Sequence, residues 1–473
     1  MRFSSTTKSK TRINWITNTI MILLLASCMQ SSPGLLPIKT ESQPTPTAQA
    51  STPTHEVYIP TVEVFPDQLR QTVQDMGSGA FIHRFGGIRA ALDPISKFNI
   101  TTFQPRNARV EIDLANWEPV NDNDSPEDPN SSAFRDTNFN HATFQFMQEM
   151  SKQGVEITAS IWDVPDWMVE DPKMESARVI PRSMYPEVIE SITTWLVKAR
   201  DGYGVNIAYV SFNEADIGIN ILLSSTDVIE LVKQAGPQFA KSALNTKWLL
   251  GDCSNSGGCL DYVKSIWSEE SIRPYLGIMA FHTWDAYNVS DKTLSDLGDF
   301  ALAQGLEIRC TEAGWDPSLW QTPEKFPTWV NAQNIAVVYN RVLKLSRVTT
   351  FYYWQMMGND YNLNDGNKPY PVMEIIKQYS RYIPVGSQIV ATSPNRGHIY
   401  SVAAKSLQGF VVQLVNDVTP SQVRLVGLPN GLYDVLLTNE DTVNQFIQTI
   451  TVNDGTAELK LQGFSVYWII THP

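Results

Sequence analysis

Short apolar runs alternate with longer segments of helical period from Met76 to about residue 383. Runs rich in β-branched and aromatic side chains are typical of buried strands, and apolar residues at three- and four-residue spacing are typical of helices. Eight strand-like runs lie near 77–82, 108–112, 155–161, 207–212, 248–251, 277–281, 306–310 and 349–354. Helices are predicted between them, among others at 143–153, 185–200, 226–243 and 330–345. Repeated strand–helix units in this number predict an α/β fold, a (β/α)₈ TIM barrel.

The two ends of the folded chain have a different pattern. Strand-like runs at 410–415, 433–437, 446–452 and 466–470 are separated by turns at 430–431 and 453–455, with no helical run between them. They predict a small antiparallel β-sandwich attached to the barrel. Near the other end, 62–65 is predicted to be a strand, followed by a turn at Pro66-Asp67 and a second apolar stretch to Val73. The sandwich either braces the barrel or adds contacts to a ligand, and we favour bracing because no exposed aromatic cluster is evident in it.

The N-terminal segment predicts export. Basic residues precede an apolar segment, 20–25, that is too short to span a bilayer and is typical of a secretory signal. It runs into Leu-Ala-Ser-Cys at 25–28, which resembles a bacterial lipoprotein box with Cys28 as the lipidated residue. Plain signal cleavage and a short membrane anchor are the alternatives. We predict an exported protein, lipid-anchored at the cell surface or membrane or else secreted.

The predicted boundaries follow from these patterns. Residues 1–28 form the signal with its lipobox, and 29–56, rich in Ser, Thr, Pro and Gln, form a disordered linker. Residues 57–75 supply the N-terminal strands of the sandwich, 76–383 form the barrel and 384–473 complete the sandwich.

Composition narrows the ligand class. The 473 residues carry a net charge of −13, so the surface repels nucleic acid phosphate. The six histidines are not spaced as a metal pair, and neither a Gly-x-Ser-x-Gly elbow nor a phosphate-binding Gly-Lys-Ser/Thr loop occurs. We expect no cofactor, no metal, no nucleic acid partner and a monomer that contacts a membrane only through its lipid anchor. The acidic loop 121–128 lacks the glycine and spacing of a calcium loop and is interpreted as a solvated loop beside a cleft.

Three cysteines remain beyond the lipobox. Cys253 and Cys259 flank a short Ser/Asn/Gly segment and are predicted to form a disulfide in an exported protein. Cys310 is interpreted as a small buried apolar residue.

Polar and aromatic side chains follow the predicted barrel strands, where the function of such a barrel is located. Flat aromatic faces suit the apolar faces of sugar rings, while carboxylates and amides bind hydroxyls. We therefore predict a sugar site at this rim, and for Trp195 and Trp248 we prefer a place in the core. The rim segments are 116–118, 161–167, 213–214, 282–284, 311–312 and 354–355, and the predicted substrate-binding residues are Arg109, Trp162, Asn213, His282, Trp284 and Trp354.

Glu214 and Glu312 end the fourth and seventh predicted strands and would face each other across the barrel mouth. Retaining glycosidases need such a pair, one carboxylate to attack the anomeric carbon and one carboxylic acid to protonate the leaving oxygen. We predict Glu214 as acid/base and Glu312 as nucleophile. Arg109 and His282 are expected to keep the nucleophile charged. The alternative is that Glu312 only forms a strand-end salt bridge with Arg309 or Arg109.

These residues resemble the large clan of retaining glycoside hydrolases built on (β/α)₈ barrels, and most closely glycoside hydrolase family 30. The segment from Gln378 to Gly386 resembles the crossing from barrel to sandwich in that family, and the resemblance extends from about residue 57 to the end. It implies β-glycosidic substrates of the xylan, β-1,6-glucan or β-1,6-galactan type. It also implies a sandwich built from both chain ends.

The sequence departs from the family pattern at two places. Ala215 stands where a proline often follows the acid/base, and Trp284 stands where a tyrosine often lies two residues after the strand-six histidine. We predict a retaining glycoside hydrolase acting by double displacement on a polysaccharide or oligosaccharide. The alternative is a catalytically inactive surface lipoprotein that binds carbohydrate.

Overall fold

The computed structural model describes residues 59–358 and 360–472, and the predicted signal, Cys28 and the whole predicted linker lie outside this range. The predicted barrel is confirmed: eight parallel strands close on themselves in sequence order. Each contains or overlaps one of the predicted runs. The strands are β2 Asp75–Phe81, β3 Asn107–Ile112, β4 Glu156–Ile161, β5 Ile207–Phe212, β6 Lys247–Cys253, β7 Leu276–His282, β8 Ile308–Ala313 and β9 Thr350–Tyr353.

Helices follow the barrel strands and cover them. Local signals fix their ends: Ser224 and Asp227 form a capping box at the start of α6, and Gly204 adopts a left-handed conformation just after α5. The predicted helices correspond to α4, α5, α6 and α9. The bounds are α1 His83–Gly86, α2 Pro94–Phe103, α3 Leu114–Trp117, α4 Asn138–Lys152, α5 Tyr185–Tyr203, α6 Ser225–Lys241, α7 Cys259–Trp267, α8 Asp291–Ala303, α9 Trp329–Leu345 and α10 Pro371–Tyr382.

The remaining strands form a second, mostly antiparallel sheet from both ends of the chain. Its order is β15-β14-β17-β12-β11-β10-β1-β13-β16, with only the β1–β13 pair parallel among these strands. Its bounds are β1 Thr61–Thr72, β10 Gln388–Thr392, β11 Ile399–Ser406, β12 Gly409–Asn416, β13 Ser421–Val426, β14 Gly431–Thr438, β15 Gln445–Val452, β16 Thr456–Leu461 and β17 Ser465–Thr471.

The predicted turn at Pro66-Asp67 is wrong. Residues Thr61 to Thr72 form one strand whose pairing with β10 shifts register between Phe65 and Leu69. Proline cannot donate a ladder hydrogen bond, and a bulge accommodates it without reversing the chain. The stretch taken for two strands is therefore one irregular strand.

One face of the second sheet lines the apolar core of the sheet domain, and the other face packs against the barrel. In β12, Val412 and Leu414 belong to the apolar core of the sheet domain, whereas Val411 and Val415 belong to the main core that includes α9 and α10. Adjacent strand residues point to opposite faces, so this alternation places one strand between two cores. Buried polar contacts also cross the boundary, including Asn340 Nδ2 to Gln413 Oε1 at 2.7 Å. The sheet domain is therefore in direct contact with the barrel, as expected if it braces the barrel.

The helices of the described residues include none long and apolar enough to cross a bilayer.

Candidate active site

Two buried carboxylates meet at the carboxyl ends of the barrel strands. Glu214 follows β5 and Glu312 lies in β8, and the two residues are 8% and 3% exposed. One carboxylate oxygen of each, together with a ring nitrogen of His282, lies within 4.8 Å of the others. This separation suits the roughly 5–5.5 Å between carboxyl groups in retaining glycosidases better than the roughly 6.5–9.5 Å in inverting ones.

Arg109 connects the two strand ends from the floor of the site. Its guanidinium is fully buried, and it donates from Nη1 to Glu312 Oε1 at 2.6 Å and from Nη2 to Asn213 Oδ1 at 2.6 Å. The ion pair considered as the alternative for Glu312 therefore exists with Arg109. Arg309 pairs instead with Glu156 and Glu307. A paired carboxylate is also what a nucleophile requires, so the ion pair does not decide between the two interpretations.

His282 lies between the two glutamates. Its Nδ1 is 3.1 Å from Glu214 Oε1 and 3.4 Å from Glu312 Oε2, and its Nε2 is 3.2 Å from Asp252 Oδ1. Burial alone would lower the pKa of the imidazole, but the surrounding carboxylates outweigh burial and raise it to about 10. The ring is therefore protonated at neutral pH and donates from both nitrogens.

Asp252 is the hub that the sequence did not reveal. Its carboxylate accepts from Arg109 Nη2 at 3.0 Å, Ser211 Oγ at 2.6 Å and Thr311 Oγ1 at 2.5 Å, besides its contact with His282. Burial would raise its pKa, but the charges of Arg109 and His282 hold the pKa well below the usual range. Its position near the end of a barrel strand was an available signal. The predicted strand stopped at residue 251, one residue before it.

The backbone has an unusual conformation at Glu214 and at the neighbouring Asp252. Glu214 and Asp252 adopt φ values of 51° and 59°, a region that non-glycine residues rarely occupy. The Glu214 N–H donates to the carbonyl of Asp252 at 3.2 Å, which joins the two residues. Such conformations concentrate at functional sites, where the surrounding structure holds them in place.

The charges in the cluster set its proton content. If Arg109, His282, Asp252, Glu214 and Glu312 are all ionised, the cluster carries one net negative charge. Burial raises the pKa of Glu312 to about 7. Burial also favours neutral Glu214, but the hydrogen bond and charge of His282 outweigh it and lower the pKa of Glu214. When the net charge of the cluster is zero, the two glutamates therefore share one proton. Their pKa values describe the pair and not either residue alone.

Trp284 takes the place at which the family resemblance leads us to look for a tyrosine. Its Nε1 donates to Glu312 Oε2 at 3.2 Å. Gly314 makes this possible, because a Cβ there would lie 2.0 Å from the indole ring. The carboxylate therefore keeps a neutral hydrogen-bond donor besides Arg109.

A largely buried aromatic cluster lies beside the carboxylates. The Trp162 ring lies 4.7 Å below the Arg109 guanidinium and 5.7 Å from the Trp354 ring, which in turn is 5.9 Å from Phe85. The peptide bond that follows Trp354 is cis. Tyr361 packs on Trp284 with 5.6 Å between the rings. Phe85 and Tyr361 were not predicted, since neither lies in a segment identified as a strand end.

Trp117, included among the rim residues, lies elsewhere. Its ring stacks on Phe134 and packs edge-on against Phe144. Its Nε1 donates to Thr194 Oγ1 of α5 at 3.1 Å. The expectation that Trp117 lines a sugar site is therefore wrong, because the short helix α3 turns the ring toward α4 and α5.

Trp195 and Trp248 are both buried in the main core, as preferred. The structure joins Cys253 and Cys259 in a disulfide, and Cys310 is free and buried.

Comparison with known proteins finds no matching family model and no match among curated sequences. Solved structures do match. The catalytic domain of a family 30 xylanase C from Talaromyces cellulolyticus is 17% identical over 87% of this chain and all of that chain, with a TM-score of 0.66. A family 30 subfamily 8 xylanase from Clostridium acetobutylicum is 14% identical over the same shares, with a TM-score of 0.66. An endo-β1,6-glucanase is 15% identical over 88% of this chain and 96% of that chain, with a TM-score of 0.57. At these identities the likeness shows a shared fold.

Proposed function

We propose that this protein is a retaining β-glycosidase with Glu312 as nucleophile and Glu214 as acid/base. The observation that carries the proposal is a pair of buried carboxylates, from the fourth and seventh barrel strands, with oxygens within 4.8 Å of each other. The pair lies at the end of the barrel where active sites are located. The fold shared with xylanases and a glucanase supports the same class of chemistry.

In the first proposed step a Glu312 oxygen attacks the anomeric carbon while Glu214 donates its proton to the leaving glycosidic oxygen. The carbon–oxygen bond to the leaving sugar breaks, and a glycosyl ester on Glu312 forms. In the second step Glu214, now ionised, takes a proton from water, which attacks the same carbon and releases Glu312. Two displacements restore the original anomeric configuration.

Hydrogen-bond donors support the role of Glu312, which accepts from Arg109 and Trp284, since both stabilise its ionised form. Glu214 also has donors: His282, Asn213 Nδ2 at 3.3 Å and the Ser254 side chain. The pKa directions of the free site favour the shared proton on Glu312, whereas the first step needs it on Glu214. We assign the roles from the positions of the glutamates on strands four and seven, as the family resemblance implies, and a bound glycoside presents an oxygen that accepts the proton of Glu214.

The remaining site residues suit a sugar. Trp162 and Trp354 offer apolar ring faces beside the carboxylates, and Asn213 lies where it can bind the hydroxyl next to the reacting carbon. We propose a xylan, β-1,6-glucan or β-1,6-galactan type of substrate. We further propose that the enzyme acts outside the cytoplasm, tethered through Cys28 or secreted. An inactive surface lipoprotein that binds carbohydrate is the competing function.

Hydrolysis of a panel of these three glycans by the wild type, Glu312→Ala and Glu214→Gln separates the two functions. We expect wild-type turnover of at least one glycan and a loss of about 10³-fold or more in each variant. Glu175→Gln, at an exposed position, is the control and should match the wild type. Glycan binding without any hydrolysis would support the inactive lipoprotein. Unchanged hydrolysis in either site variant would refute the assignment of residues.

A further inference from the structure

A second acidic cluster lies away from the proposed active site, between α3 and α5. Glu118 follows α3, Asp122 lies in the loop after it, and Glu190 belongs to α5. One carboxylate oxygen from each lies within 4.8 Å of the others. Glu118 is completely buried and Glu190 is 2% exposed. Carboxylates are almost never buried to this extent unless a partner accompanies them.

The oxygens of this cluster lack partners. Glu118 Oε2, Asp122 Oδ1 and both carboxylate oxygens of Glu190 are buried without a hydrogen-bond donor, as is Asn121 Oδ1 beside them. Donors reach the other oxygens of Glu118 and Asp122: the Asp122 N–H contacts Glu118 Oε1 at 3.3 Å, and Asn123 Nδ2 contacts Asp122 Oδ2 at 3.0 Å, as does the Asn130 N–H. The Ser191 side chain also lies close enough to Glu118 to interact with it. Buried polar atoms are nearly always satisfied, so five acceptors without a donor in one place require a proton, a water molecule or a cation as partner.

The charges around the cluster are of one sign. The carboxylates of Asp122, Glu187 and Glu118 all lie close enough to Glu190 to repel its charge. Within the described part of the chain, no lysine, arginine or histidine forms an ion pair with these four residues. The cluster therefore holds either protons or a bound cation.

We propose that Glu118, Asp122 and Glu190 bind a calcium ion. Calcium prefers six to eight oxygen ligands, including carboxylates and amide carbonyls, at about 2.3–2.6 Å, so two ligands on opposite sides of one ion are about 4.6–5.2 Å apart. The spacing of the three carboxylates fits that sphere. Glu187, whose carboxylate interacts with Glu190 and Asp122, is a further candidate ligand. Magnesium demands a smaller octahedron and keeps most of its water, which this buried site does not favour.

The ion would add a link between elements that lie far apart in the sequence. It would tie the loop after α3 to α5, and the Glu118 carbonyl already accepts from Trp167 Nε1 at 3.1 Å in the loop after β4. Glu190 borders a cavity of about 590 Å³ at the protein surface, which offers an entry path. The loop 121–128 taken alone lacks the glycine and the ligand spacing of a calcium loop, so its sequence does not predict a calcium site. The two glutamates that change this conclusion lie outside that loop.

Thermal unfolding of the EDTA-treated full-length protein tests the site, with CaCl₂ added in increasing concentration. We expect a saturable rise in Tm on the order of a few degrees and one bound Ca²⁺ per chain by titration calorimetry. MgCl₂ at the same concentrations should give a much smaller shift. In Glu190→Gln and in Glu118→Gln the apparent Ca²⁺ affinity should fall at least tenfold, so the result does not depend on one variant folding. Asp128→Asn, in the exposed part of the same loop, should respond like the wild type.

Two results would overturn the proposal. An equal Ca²⁺ response in the wild type and both glutamine variants would place the ion elsewhere. No Ca²⁺ binding and no Tm shift would show that protons alone neutralise the cluster. Neither measurement uses a glycan, so the outcome is independent of the proposed glycosidase activity.

Discussion

The indole Nε1 of Trp284 lies 3.2 Å from Glu312 Oε2 and donates a hydrogen bond to it. The sequence left open what binds this carboxylate, because the family resemblance leads us to look for a tyrosine there. The structure supplies an indole N–H in its place. In the proposed mechanism this donor holds Glu312 in position for attack and favours its ionised form.

Trp284→Phe keeps an aromatic ring and removes the donor. A hydrogen bond to a charged group contributes about 1.5–3 kcal/mol, so we expect kcat to fall by about 10- to 100-fold. Steady-state kinetics on the best glycan measures the change. Trp315→Phe is the matched control, because its Nε1 donates to Asn331 Oδ1 at 2.8 Å rather than to Glu312. An equal loss in both variants would mean that general packing, and not the bond to Glu312, is responsible.

Gly314→Ala reaches the same contact by another route. The added Cβ would meet the Trp284 ring at 2.0 Å, so the indole must move away from Glu312. We expect a fall in kcat of the same order as in Trp284→Phe. In the double variant the two losses should not add, because both remove one interaction. Additive losses would show that the two residues act separately.

Asp252→Asn removes the charge at the hub while keeping the size of the side chain. Arg109 and His282 then face one carboxylate fewer, and breaking such a buried ion pair costs about 3–5 kcal/mol in the free energy of unfolding. The pKa of His282 should fall below its value of about 10, because one of the carboxylates that raise it is lost. Chemical unfolding and NMR titration of the imidazole measure the two effects. Asp261→Asn, at an exposed position of α7, should change stability by less than about 0.5 kcal/mol.

The activity of the wild type should follow a bell-shaped pH profile. Catalysis needs one proton on the glutamate pair: with two, the nucleophile is neutral, and with none, the acid is missing. Burial raises the pKa of Glu312 to about 7, so the proton of the pair is lost as pH rises through that value. The profile of kcat/KM should therefore decline above about pH 7. A plateau that extends to pH 9 would contradict this proton count.

Glu111 makes folding itself pH-dependent. It lies two residues after Arg109 in β3, and burial raises its pKa to about 8 although Arg84 lies 3.1 Å away. Arg84 is about one-third exposed, so water weakens its pull. Between pH 4.5, the ordinary pKa of a glutamate, and about pH 8, Glu111 is protonated in the folded state but ionised in the unfolded state. The free energy of unfolding therefore falls as pH rises through that window.

Between pH 5 and pH 8.5 the free energy of unfolding should fall less in Glu111→Gln than in the wild type, by at most about 5 kcal/mol. Denaturant unfolding of the wild type and the variant at several pH values measures it. Glu175→Gln, which is exposed, should keep the slope of the wild type. An unchanged slope in Glu111→Gln would show that Glu111 is ionised in the folded protein.

The barrel was predictable because each parallel strand is buried on both faces and therefore appears as a continuous apolar run. Strand order in such a barrel follows the sequence, so the sequence alone places the strand ends that carry Glu214 and Glu312 on one rim. Trp117 and Asp252 could not be placed in this way. Their positions depend on a four-residue helix and on one further residue of strand, which periodicity does not resolve.

Contacts between distant segments were beyond the sequence. Nothing in the loop 121–128 indicates that Glu190 of α5 approaches it, because helix packing determines that approach. The turn expected at Pro66-Asp67 shows the opposite limit. Local turn chemistry favours a reversal, but the ladders to β10 and β13 keep the chain extended through a bulge.

Trapping the glycosyl-enzyme intermediate tests the proposed mechanism most directly. A 2-deoxy-2-fluoro glycosyl reagent of the sugar that the enzyme hydrolyses slows release of the covalent ester, and mass spectrometry of peptic peptides locates the label. We expect one label per chain, on Glu312, with none in Glu312→Ala. A label on Glu214, or no label although the parent glycoside is hydrolysed, would contradict the double displacement at Glu312.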